Sequence, residues 1–98
     1  MGVTIDVSDG QIDRKDTKDI TVSAEGADGD LVTLQSIDFT LTVGNQETTY
    51  SLADFDADAK EYRLEHTFTA SGFAEIDCTV TDMGGSQERV TSDFIVQS

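Results

Sequence analysis

Apolar side chains occupy alternate positions through most of the chain, and the alternation restarts after short breaks rich in glycine and aspartate. Val3, Ile5 and Val7 share one parity, with Thr4, Asp6 and Ser8 on the other. Ile20, Val22 and Ala24 repeat this opposite Thr21, Ser23 and Glu25. A longer run places Ile37, Phe39, Leu41 and Val43 against Asp38, Thr40 and Thr42 before Gly44-Asn45 breaks it, and Thr48, Tyr50 and Leu52 return from that turn. Tyr62, Leu64, His66 and Phe68 then share a face, Ser71-Gly72 closes the run, and Ala74, Ile76, Cys78 and Val80 follow. Val90, Ser92, Phe94 and Val96 come after Asp82-Met83-Gly84-Gly85. A period of two sends successive side chains to opposite faces of a strand, so the pattern predicts about seven strands, each with one apolar and one polar face.

No segment keeps a helical period. Leu52 to Tyr62, reading LADFDADAKEY, supports a single turn at most. Half-polar strands separated by turn signals every 8 to 12 residues or so suit two antiparallel sheets packed face to face, so the expected fold is an all-β sandwich. Its core is the set of inward residues just named. A chain of 98 residues makes one domain, 1–98, able to bury a modest core without disulfides or metal. Met1-Gly2 reads as a start added to an excised module.

Charge narrows the partners. Twenty acids face six lysines and arginines, for a formal net charge of -14. Such a surface repels phosphate backbones and anionic membranes, so nucleic acid is not an expected partner. The acids are mostly aspartate, 14 against 6 glutamates. Aspartate is the acid of turns and of calcium loops alike, and a carboxylate-rich, lysine-poor surface also suits high salt, where self-repulsion is screened. The one cysteine, Cys78, excludes an internal disulfide. No signal-peptide pattern opens the sequence, and no apolar run reaches membrane-spanning length.

The stretches ITVSAEGADGD, IDFTLTVGNQ, FTASGFAEIDCTVTDMGGS and DFIV, between Ile20 and Val96, resemble the bacterial and archaeal immunoglobulin-like modules, including their polycystic-kidney-disease-type and cadherin-like relatives. The resemblance lies in a second strand ending at an Asp-Gly loop, a third ending at a Gly turn, and a penultimate strand that starts at Gly-aromatic and closes on Thr-Asp-x-x-Gly. Three features depart from it. Leu31 to Ser36 lengthens the connection into the third strand, the tryptophan of antibody domains is missing, and no aromatic stands two residues before Cys78. The resemblance implies an Ig-like Greek-key sandwich and a non-catalytic spacer, stalk or adhesion unit in a larger cell-surface, secreted or virion-surface protein. Its partners would be neighbouring modules of the parent chain, with a surface protein or glycan as the further class.

In an Ig-like sandwich the loop after the second strand and the loop before the last lie at one end, beside the N-terminus. Asp28, Asp30 and Asp82 would then converge, with Asp6 or Asp9 as further candidates. Calcium takes six to eight oxygen ligands at about 2.3 to 2.6 Å, which short aspartate-bearing loops can supply. The candidate metal-ligating set is therefore Asp28, Asp30 and Asp82, with calcium as the one candidate cofactor. The structural alternative for Asp82-Met83-Gly84-Gly85 is a hairpin bend in which the acid accepts backbone N–H bonds and glycine supplies positive φ. A second acidic run, Asp54-Phe55-Asp56-Ala57-Asp58, lacks the glycine of a calcium loop at its sixth position, where Ala59 stands, and reads as a solvated loop with Phe55 tucked beneath.

Cys78 and His66 both fall on apolar parity, so the expectation is an inert core thiol and a hydrogen-bonded or edge histidine. Phosphate-cradling loops, zinc-spaced Cys/His sets and nucleophile elbows are absent from the sequence. The expected function is a non-catalytic, monomeric spacer or adhesion module outside the cell, without membrane insertion. The alternative is an accessory domain of a secreted enzyme that binds carbohydrate or protein.

Overall fold

The computed structural model describes residues 1–8 and 10–98 and, among them, nine strands. These are β1 (Gly2–Val7), β2 (Ile12–Asp13), β3 (Thr17–Glu25), β4 (Leu34–Val43), β5 (Gln46–Ser51), β6 (Asp56–Asp58), β7 (Glu61–Thr67), β8 (Gly72–Asp82) and β9 (Gln87–Gln97). They form a four-stranded sheet in the order β1-β3-β7-β6 and a five-stranded sheet in the order β2-β9-β8-β4-β5. All neighbours run antiparallel except β2 and β9, where Ile12 lies opposite Val96 in a parallel pair. The chain passes between sheets after β1, β2, β3, β5 and β7, and the apolar faces of both sheets meet.

The inward parity expected from the pattern is the parity that is buried. Ile20, Val22 and Ala24 of β3, Phe39 and Leu41 of β4, and Ile76, Cys78 and Val80 of β8 are almost or wholly inaccessible. Val3, Ile5, Val7, Tyr50, Val90 and Phe94 pack against them while half-buried: β1 and β5 are edge strands, and β2 covers β9 only at Val96 and Gln97. Rings thread this core from Phe55 through Phe39, Tyr50, His66 and Phe68 to Phe94, edge to face except for the tilted Phe39–Tyr50 pair, with centroid separations of 4.7 to 6.0 Å. Such contacts stabilise by about 0.5 to 1.5 kcal/mol each beyond area burial.

Three expectations change. β6 is a strand inside the run read as a solvated loop, and β2 a strand where the pattern assigns no element; at three and two residues both are too short to display a period of two. β4 starts at Leu34, inside the stretch read as a connection, because a bulge between Leu34 and Ser36 shifts the phase there and still buries Leu34. The strand expected to include Leu52 stops at Ser51: Leu52–Asp54 is one turn of 3-10 helix, and Asp54 Oδ2 accepts the Ser51 N–H at 2.8 Å. Phe55 is buried edge-on to Phe39 as expected, although Asp56–Asp58 pairs with β7 through a two-residue turn. Both turn residues, Ala59 and Lys60, have positive φ (51° and 66°), the geometry that best matches hairpin twist.

The extents of the molecule are 41 × 22 × 21 Å. An eleven-residue strand such as β8 measures roughly 33 to 36 Å, so the strands can run only along the long axis. Gly2 lies opposite Glu25, and Glu25 bridges to Leu31 near the β8–β9 hairpin, which fixes the N-terminal end. Val96 lies opposite Gly72 at the far end.

Candidate functional site

The two loops singled out by their aspartates do share one end of the sandwich. Asp28, Asp30 and Asp82 line one shallow depression together with Val32, Lys60 and Met83. β3 and its turn deliver the first two, the end of β8 delivers Asp82, and the β6–β7 turn delivers Lys60. Asp6 is on β1 opposite Thr21 and is not part of this lining, while Asp9 lies outside the described residues.

Each loop is built by its own aspartate. Asp82 Oδ1 accepts the N–H groups of Gly84 and Ser86, both at 2.9 Å. The Asp82 carbonyl accepts the Gly85 N–H at 3.1 Å, and Gly85 sits at φ 89°, where a side chain would strain the backbone. The stretch Asp82-Met83-Gly84-Gly85 is thus a self-capped hairpin. In the other loop Asp28 Oδ1 accepts the Asp30 N–H at 3.1 Å, and the Gly26 N–H bonds the Asp30 carbonyl at 2.9 Å. Among the described residues no three acidic, histidine or cysteine side chains come close enough together to hold a metal ion. Lys60, a basic residue, lines the same depression as the three aspartates.

A second open depression is lined by Asp19, Asp54, Asp56, Arg63 and Glu65, beside Tyr50 and Leu64. It lies where β6 ends and leaves the rest of the β7 edge uncovered. Asp54 is engaged there in holding the turn after β5. The acidic run therefore divides into a capping residue, a buried ring and an edge strand.

The nucleophile and base candidates are both occupied by packing. Cys78 is wholly buried, and burial first, then the charges of Asp77 and Asp38, push its thiol up to about 12. A thiol held protonated at neutral pH is not a nucleophile. His66 Nδ1 is 2.6 Å from Tyr50 Oη, a bond that joins β7 of one sheet to β5 of the other. Burial lowers the pKa of His66 below its usual 6.5, so the neutral ring, which can accept the tyrosine proton, is favoured. The sign for stability follows. Below pH 6.5 the unfolded chain takes up the proton first, so stability is complete above that pH and falls as pH drops toward the lower native value. Melting temperature from pH 7.5 to 5.5 is expected to fall in the native chain and to stay flatter in His66→Phe.

Missed in the sequence reading is the outer face of the five-stranded sheet. Its rows read Asp93-Glu75-Thr42-Glu47 and Thr91-Asp77-Thr40-Thr49 across β9, β8, β4 and β5. Glu75 and Asp93 stand directly opposite one another, an unfavourable like-charge pair. Arg89 on this face grips Asp77 diagonally through two bonds of 2.7 and 2.8 Å. That contact lowers the Asp77 pKa by hydrogen bonding to the guanidinium. The polar parity of β8 and β9 carried this signal, but only strand order showed that the acids form one platform.

Comparison with known proteins gives one likeness of fold. No protein-family model and no curated protein matches the chain. Among solved structures, the whole chain is similar to part of chitinase ChiW from Paenibacillus sp. str. FPU-7, described as a bacterial cell-surface-expressed multi-modular enzyme machinery. The TM-score is 0.63 at 18% identity, and the likeness spans 9% of that much longer chain. No helix among the described residues is long and apolar enough to cross a membrane.

Proposed function

We propose that the chain is a non-catalytic, Ig-like spacer module of a larger cell-surface, secreted or virion-surface protein, which holds neighbouring modules at a set separation. The observation that carries this reading is the placement of the two chain ends at opposite ends of the 41 Å axis. A polypeptide that enters beside the β8–β9 hairpin and leaves past Val96 continues in line, so pulling on its ends loads the strands along their length. Strand order supports the Ig-like part: β1-β3-β7-β6 follows the A-B-E-D order of an immunoglobulin sheet, and β9-β8-β4 follows G-F-C. The fold shared with a stretch of a multi-modular chitinase supports a module within a longer chain.

The second reading is an accessory domain that presents a surface to polysaccharide or protein. Among the described residues Phe73 is the one largely exposed aromatic, so a stacking platform would have a single ring there, which favours the spacer. Small-angle scattering of the longer parent polypeptide tests the spacer: modules in line, stepping by about the length of this one, are expected. A collapsed or randomly oriented arrangement would remove the mechanical role.

Calcium, if bound, would sit at the end bearing Asp28, Asp30 and Asp82. Their bonds to their own loops and the presence of Lys60 favour a turn-building role, with the acidity serving solubility. Melting in millimolar CaCl₂ and in KCl of matched ionic strength is expected to rise equally over EDTA, through screening of a chain carrying -14. A calcium-specific rise that disappears in Asp28→Ala and Asp82→Ala would instead place a cation between the loops.

A further inference from the structure

Phe73 and Ile95 lie directly opposite each other on β8 and β9, 57% and 53% exposed. Both point outward from the five-stranded sheet, since their neighbours Ala74 and Val96 are buried. They occupy the last row of that face: Gly44 donates its N–H to the Phe73 carbonyl at 3.0 Å, and the next row inward begins with Glu75 opposite Asp93. An apolar pair thus stands at the edge of a carboxylate platform, at the end where the chain leaves. Ile95 is three residues before Ser98, about 10 Å of extended chain.

Area and charge decide what covers it. Two side chains exposed a little over half offer on the order of 200 Å², far below the roughly 800 Å² per partner of a standard interface. A freely diffusing partner would not be held by so little. A second copy is opposed further by -14 on each chain and by the facing acids beside the patch. A tethered partner needs much less contact, because a short linker sets an effective concentration in the millimolar range.

We propose that Phe73 and Ile95 form a docking patch for the polypeptide that follows Ser98, received by apolar side chains with lysine or arginine set against Glu75 and Asp93. The proposal rests on the spacer reading and gives that reading its means of fixing the angle at the junction. The basic rim pairs with the acids, and the apolar pair excludes water between the two bodies.

The test uses the longer parent polypeptide and the isolated 98-residue chain, with the Ile95 methyl as probe and a soluble nitroxide as relaxation agent. The expected result is several-fold weaker nitroxide relaxation of that methyl in the longer polypeptide than in the isolated chain. Protection should be lost in Phe73→Ser and reduced by high salt. Phe73→Ser should leave the melting temperature of the isolated chain within about 3 °C, so loss of protection would not report unfolding. Equal relaxation in the two proteins overturns the patch, as does self-association of the isolated chain that protects the same methyl. Small-angle scattering on the same samples judges the spacer separately. An in-line array with an exposed methyl sinks only the patch, and a protected methyl in a bent array keeps the patch and removes the spacer.

Discussion

Phe39→Ala is expected to destabilise the domain by about 3 to 5 kcal/mol and lower its melting temperature by roughly 15 to 30 °C. Phe39 is 1% exposed at the centre of β4, and its ring meets Phe55 at 5.8 Å and Tyr50 at 6.0 Å. Truncation removes the transfer energy of the ring and leaves a cavity that strands on both sides hold open. It also cuts the chain of rings joining the two sheets at its second member. Domains of this size are stable by only some 5 to 15 kcal/mol, so the variant sits close to unfolding. Phe39→Leu, which keeps most of the volume, should lose about a third as much. Thermal and urea unfolding of the three proteins measure this directly. A loss below about 1 kcal/mol for the alanine variant would mean that Phe55 and Tyr50 close over the gap and that the ring contacts do not hold the sheets together.

Tyr62→Phe is expected to cost about 1 to 3 kcal/mol although it removes a single oxygen. The Leu34 N–H donates to Tyr62 Oη at 2.9 Å across the interior, and both residues are nearly inaccessible. The bond binds β7 of one sheet to the bulged start of β4 in the other, where the register with β8 shifts and the amide turns to Tyr62. Phenylalanine fits the same space but leaves a buried donor without a partner, and that desolvation is the cost. Amide hydrogen exchange gives the discriminating readout: Leu34 should lose protection before the centre of β4 does. Tyr50→Phe is the comparison, because the Tyr50 side chain is only half-buried, so water can reach the position its hydroxyl leaves beside His66 Nδ1. If Leu34 stays protected in Tyr62→Phe, water or a shifted β8 carbonyl has taken over the bond.

The longer strands were legible because each has a polar face in water and an apolar face in the core, and this division writes a period of two into the residues. The runs through Phe39, Leu64 and Ile76 needed no tertiary information to be assigned to strands with the correct side inward. The Asp82 bend was equally local, since an acid and two glycines build it from their own backbone. β2 and β6 were hidden because two or three residues contain no repeat, and only a partner strand defines them.

The candidate site divides along the same line. That Asp28, Asp30 and Asp82 share one end follows from strand order once a sandwich is assumed. Their separation and the entry of Lys60 depend on how three loops settle over one another, which no periodicity records. The same holds for the acidic platform and the Phe73–Ile95 pair. Alternation assigns each residue to the outward face of its strand. The register between strands, set by side-chain packing far apart in sequence, then decides that those outward residues are neighbours.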